Sequence, residues 1–166
     1  MSATSTNANG TSTATATATT TAVAIPKWDK NADMSFIDLD TFDQILEMDD
    51  EGDNSFSKGI VVGFVEQAQQ TLVEMEKLLK EKYLDQLSSR GHFLKGSSAT
   101  LGLVRIRDAC EKIQHYGAMK DEDGMKDLPS QDEALDRISK IVDQLKEEYK
   151  TIRSYFIYRY GDLEEP

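Results

Sequence analysis

The chain has 166 residues and a formal net charge of −11, enough length for one domain with a real core. So acidic a composition excludes a binder of nucleic-acid phosphates or of an anionic membrane surface, since both need basic patches. A lone cysteine, Cys110, excludes a disulfide framework and fits a reducing compartment.

Residues 1–35 read as a disordered tail. Thr11 to Thr21 is almost pure threonine and alanine, with no apolar face to offset the entropy of ordering it. No basic segment leads into an apolar stretch, and residues 1–26 contain no arginine, so neither a secretory signal nor a mitochondrial transit peptide is expected. The expected address is the cytoplasm, with the nucleus open by diffusion.

From Asp38 the pattern is helical, and residues 38–160 are expected to form one domain. A short helix runs from about Asp40, its N-cap candidate, to Met48. The acidic stretch Asp49 to Asn54 ends it. A long helix from about Phe56 to Lys80 carries Ile60, Phe64, Ala68, Leu72, Met75 and Leu79 on one stripe. Its best apolar run, Ile60 to Val65, is broken by Gly63 and far too short to span a membrane. A third helix covers about Leu84 to Leu101. A fourth, about Leu103 to Met119, shows Leu103, Ile106, Cys110, Ile113 and Gly117 at alternating spacings of three and four. A charged loop with Gly124 and Pro129 follows. The last helix, about Asp132 to Tyr158, turns Ala134, Ile138, Ile141, Leu145, Tyr149, Ile152 and Phe156 inward. No segment alternates like a half-buried strand. The expected fold is all-α, an antiparallel four-helix bundle with the short first helix lying across it.

The third helix holds the most informative run, His92-Phe93-Leu94-Lys95-Gly96-Ser97-Ser98. Leu87, Leu94 and Leu101 share one face, and His92 points the opposite way. Lys95 and Gly96 stand one turn on, beside the histidine. A mid-helix glycine costs roughly 0.5–1 kcal/mol relative to alanine, so its place here clears room for another molecule. A cation next to an exposed imidazole serves an anion. Together they suggest a histidine that carries phosphate. His115 has Ala118 and Met119 at the corresponding positions and reads as an ordinary surface residue. Cys110 reads as core.

The run from His92 to Leu103, with Gly102 near its end, resembles the signature of histidine-containing phosphotransfer (HPt) domains. Phe56-Ser-Lys-Gly-Ile60, Phe64-Val-Glu-Gln-Ala-Gln69 and Cys110-Glu-Lys-Ile-Gln114 resemble the fungal phosphorelay-intermediate type within that family. The resemblance covers about Asp38 to Tyr160. It implies a four-helix bundle and a phosphate accepted on Nε2 of His92. It also implies a phosphate-neutralising role for Lys95, clearance at Gly96, and Gln114 as a polar neighbour on the adjacent helix. Its members dock partners on the first helix and the start of the next, which makes Thr41, Gln44, Ile45, Met48, Ile60 and Gln67 candidate contacts. The acidic residues between Asp38 and Asp53 would form a polar rim. One departure stands out: relatives often carry a basic residue where this chain has Ala118.

The implied function is a phosphorelay carrier, in two-component signalling of the osmotic or oxidative stress type. It takes phosphate from a receiver-domain aspartate of a hybrid sensor histidine kinase and passes it to downstream response regulators. No cofactor is expected of the chain itself, the divalent metal coming from the partner receiver. No nucleotide-binding motif of the Walker or kinase type is present, so self-phosphorylation from ATP is not expected. A helical adaptor that docks receivers without carrying phosphate is the alternative, opposed by the intact histidine, lysine and glycine. A general-base enzyme lacks an orienting carboxylate near His92, apart from Asp85 two turns away. A monomer is expected, since dimerisation would cover the docking face.

Overall fold

The computed structural model describes residues 27–163, which contain five helices and no named strand. They are α1 (Leu39–Leu46), α2 (Ser55–Glu81), α3 (Leu84–Thr100), α4 (Val104–Gly117) and α5 (Gln131–Tyr160). In space α2 touches α3, α3 touches α4, α4 touches α5, and α5 returns to α2, closing a four-helix ring. The expected stripes are the ones that fill it. Leu87 and Leu94 of α3 with its C-cap Leu101, Ile106, Cys110 and Ile113 of α4, and Ala134, Ile138, Leu145, Ile152 and Phe156 of α5 are all buried. Ile60, Leu79 and Tyr149 pack only partly buried against that core.

Each connection has a local cause. Lys82 closes α2 in the left-handed conformation (φ 60°) and turns the chain into α3. Gly102 turns α3 into α4 at φ 70°, and a Cβ there would lie 2.6 Å from the Asp38 carbonyl oxygen. That close approach lets the Asp38 N–H donate to the Gly102 carbonyl at 2.7 Å, fastening the start of α1 to the bundle. Ser130 caps α5 by accepting from the Glu133 N–H at 3.2 Å, the first half of a Ser-x-x-Glu capping box.

α1 lies across the end of the bundle at which α2 begins and α5 finishes. Phe42 is fully buried, with its ring centroid 5.7 Å from that of Phe156, and the Arg159 guanidinium lies over its ring at 5.5 Å. The N-cap is Asp38, not Asp40. Its carboxylate accepts from the Asp40 and Thr41 amides, and the Thr41 hydroxyl donates to it at 2.7 Å. A polar loop leads from α1 into α2, and Asp49 reaches forward to accept the Ser57 N–H at 2.8 Å.

The tail boundary moves. Residues 27–35, assigned above to the disordered tail, pack onto the bundle. Trp28 stands edge-on to Phe36 and Tyr155, with centroids 5.6 and 5.2 Å away. Arg105 of α4 binds the Asp33 carboxylate at 2.5 Å, the Ser35 hydroxyl, and Glu148 of α5 at 3.3 Å. One tryptophan and two short polar side chains are enough to dock a segment whose composition otherwise reads as linker. The threonine-rich stretch lies outside the described residues.

Candidate functional site

His92 sits in the middle of α3 and is exposed. Its helix is held from behind by Leu87 and Leu94, both buried, and the buried Ser98 turns its hydroxyl back onto the Leu94 carbonyl of the same helix at 2.7 Å. Small residues seat α3 on α4. Gly91 abuts Cys110 and Ile113, and Gly117 abuts Leu84 and Ser88. The Ser88 hydroxyl donates to the Gln114 carbonyl at 2.9 Å. These contacts fix the register that sets α4 side chains opposite the histidine turn.

Gly96 is exposed, and a Cβ placed there would meet nothing within 4 Å. The surface beside His92 is therefore open, as the sequence suggested. Lys95 is at the site, but its ammonium is engaged: it donates to Glu111 Oε1 of α4 at 2.8 Å. The Glu111 carboxyl lies below the usual carboxylate range, held there first by that hydrogen bond and then by the lysine charge. Glu111 was not foreseen, because nothing in a sequence gives the register between two helices.

Gln114 lies three residues beyond Glu111 on α4, half-buried. Its side-chain oxygen is buried with no hydrogen-bond partner among the described residues. Cys110, one residue before Glu111, is core, and burial pushes its thiol pKa up to about 12. The thiol is thus an inert packing group. His115 has a structural task beyond that of a plain surface residue. Its Nδ1 bonds the Glu122 carbonyl oxygen at 2.8 Å, and its ring lies against Gly124, which pins the loop after α4.

The candidate docking residues separate into three groups. Gln44 on α1 and Met48 in the turn just after it are exposed, Met48 at 63%. Thr41 is half-buried and tied into the N-cap. Ile45 is buried at 7%, which corrects its assignment as a partner contact: it faces the core together with Phe42, while Leu46 is only half-buried. A helix of eight residues places Phe42 and Ile45 three apart on one side, and that side meets the bundle. Ile60 is half-buried on α2. Gln67 lines a shallow groove with Gly63, Gln70 and Phe93. Phe93 follows His92 directly and is 48% exposed, a large apolar contact the sequence reading passed over. Of the acidic rim, Asp38 and Asp49 are committed to capping.

No group of residues that could hold a metal ion occurs among the described residues. No described helix is long and apolar enough to cross a membrane.

Comparison with known proteins agrees with this geometry. The Hpt domain model matches residues 59–154. Multistep phosphorelay regulator 1 of Schizosaccharomyces pombe is 49% identical over 125 residues, 75% of this chain and 42% of that protein. The crystal structure of the yeast phosphorelay protein YPD1 superposes with a TM-score of 0.66 at 30% identity, covering 78% of this chain and 97% of that one. A co-crystal structure holds the Saccharomyces cerevisiae histidine phosphotransfer signalling protein Ypd1 with the receiver domain of its downstream response regulator Ssk1. It superposes at a TM-score of 0.65 and 32% identity, covering 85% of this chain and all of that one. The chain spans less than half the length of the three fungal relatives it matches. An exposed histidine on a bundle helix, a lysine one turn on, a clear surface at the following glycine and this set of matches lead to one assignment: the chain belongs to the Hpt domain family.

Proposed function

We propose that this protein is a phosphorelay intermediate. It accepts a phosphoryl group on His92 from a receiver-domain aspartate of a hybrid sensor histidine kinase and delivers it to the aspartate of a downstream response regulator, in a stress or osmosensing route. The observation that carries this reading is the exposed His92 beside Gly96, where nothing within 4 Å would meet an added Cβ. An imidazole so placed is open to a reacting centre on another protein. The relatives named as phosphorelay proteins, one of them crystallised with a receiver domain, support the same partner class.

In the forward step the Nε2 lone pair of His92 forms a bond to phosphorus while the acyl P–O bond breaks, and that electron pair leaves with the aspartate carboxylate. The ring proton stays on Nδ1. The receiver contributes the divalent metal. This chain contributes an imidazole fixed on a rigid helix and the Lys95 charge one turn away, so its work is positioning and electrostatics. The acyl phosphate and the phosphoramidate are both energy-rich, and the transfer runs in either direction. The protein is thus a carrier and not an ATP-dependent kinase. It acts as a monomer in the cytoplasm and nucleus.

Mixing the purified protein with a phosphorylated receiver domain tests this. Label should move to the chain as an acid-labile, alkali-stable adduct and be absent in His92→Gln. A native chain that binds the receiver and takes no label would be an adaptor.

A further inference from the structure

The cation beside His92 is shared. Lys95 Nζ and Glu111 Oε1 are 2.8 Å apart, and the two side chains are 32% and 47% exposed. Ion pairs this open to water are weak and exchange readily. Yet the pair is not a chance meeting of two mobile side chains. A Cβ on Gly91 would lie 2.9 Å from the Cys110 carbonyl oxygen and 3.1 Å from the Gln114 nitrogen, so α3 and α4 are locked together on either side of Glu111. The other charges of that stretch are engaged elsewhere: Asp108 with Arg107, and Lys112 with Glu122. Glu111 is the carboxylate aimed across at the histidine turn.

We propose that Glu111 is a positioning residue that holds the Lys95 ammonium while His92 is bare and yields it to the phosphoryl group once His92 is charged. This rests on the relay reading above. A phosphoryl group carries more negative charge than a carboxylate and three strong acceptor oxygens, so it wins the competition for the amine. The winning is incomplete, because every phosphorylation gives up an existing ion pair. Glu111 therefore sets how tightly the phosphoryl group is held. It keeps Lys95 extended toward the site when empty, and keeps the phosphohistidine labile enough to be handed on.

The test uses a donor that needs no partner protein. Phosphoramidate phosphorylates imidazole directly: its P–N bond breaks, ammonia leaves, and the new N–P bond forms on His92. After donor removal, phosphorus NMR follows loss of the adduct from the native chain, Glu111→Gln, Lys95→Ala and the double variant. Glu111→Gln should lengthen the phosphohistidine lifetime by about two- to fivefold, the range expected from losing one exposed competing pair. In the Lys95→Ala background the same substitution should change nothing. An unchanged lifetime in Glu111→Gln overturns the proposal. So does an equal lengthening with and without Lys95, because Glu111 would then act by plain repulsion. A native chain that takes no phosphate at His92 removes the relay reading and this one together, whereas labelled chains with unmoved lifetimes remove only the role of Glu111.

Discussion

Gly91 lies so close to Cys110 that a Cβ on it would sit 2.9 Å from the Cys110 carbonyl oxygen, a distance that requires one of the two helices to move. Five residues later on the same helix, Gly96 faces open space. The two glycines flank His92 and do opposite things. One brings α4 up against the helix from behind, and the other leaves the front clear.

Substituting each separates the roles. Gly91→Ala overpacks the α3–α4 seam and should destabilise the protein by about 1–3 kcal/mol, visible as a lower denaturation midpoint. Gly96→Ala meets no atom and removes a helix-interior glycine, so it should stabilise by roughly 0.5–1 kcal/mol. The same variant should accept phosphate from a receiver domain more slowly, because the added methyl stands where the partner approaches. Phosphorylation by phosphoramidate, a far smaller donor, should be close to native. A Gly96→Ala chain that is stabilised and transfers at the native rate would remove the clearance role.

Acid should unfold this protein through its caps. Asp38 and Asp49 both lie below the ordinary carboxylate range, chiefly because side-chain hydrogen bonds from Thr41 and Ser57 favour the ionised form. A carboxyl depressed in the folded state adds stability that is fully present above its unfolded pKa and is lost as pH falls through the folded one. The melting temperature should therefore be flat near neutrality and decline below about pH 4. Asp38→Asn and Asp49→Asn should each make that decline shallower. A melting curve whose acid slope is unaffected by both would assign the loss to other carboxylates.

Much of this was legible before the structure. The stripes of α3, α4 and α5 fell on the buried side because a helix with one apolar face has one way to bury it. His92 was exposed for the same reason, lying opposite Leu87 and Leu94. Short elements were harder. Over the eight residues of α1 and the turn after it, Phe42, Ile45, Leu46 and Met48 spread apolar surface over more than one side, so periodicity alone could not say that Ile45 turns inward and Met48 outward. Contacts between distant segments were not legible at all. Glu111 opposite Lys95, and Arg105 holding Asp33, depend on helix register and on which loop folds back over which face.

Ile45 is buried and Met48 exposed, so the same substitution at each should have opposite consequences. Ile45→Asp puts a charge into the core and should destabilise severely, by more than about 3 kcal/mol, with any loss of transfer following from unfolding. Met48→Asp changes a side chain that is 63% exposed and should leave the melting temperature near native. If the outer face of α1 docks receivers, Met48→Asp weakens their binding in titration calorimetry. Native affinity in a folded Met48→Asp chain would move the docking surface off α1, toward the groove of Gln67 and Phe93.

Ala118 follows α4 as its C-cap, and its surroundings explain what a cation there would do. Gly117 rests against Leu84 and Ser88, so Ala118 leaves α4 beside the turn of α3 that precedes His92. Ser88 and His92 are one turn apart, a rise of about 6 Å that an arginine side chain spans. Position 118 itself carries no charge, Lys82 and Asp85 line the same groove, and the nearby Lys120 is bound to Asp127 at 2.6 Å. Ala118→Arg should lengthen the phosphohistidine lifetime by up to about fivefold, the range of one exposed charge interaction. The gain should shrink as salt is raised, since screening shortens its reach. Ala118→Gln matches much of the length without the charge and should decay as the native chain does. If arginine and glutamine variants decay alike at low salt, position 118 has no electrostatic hold on the phosphoryl group.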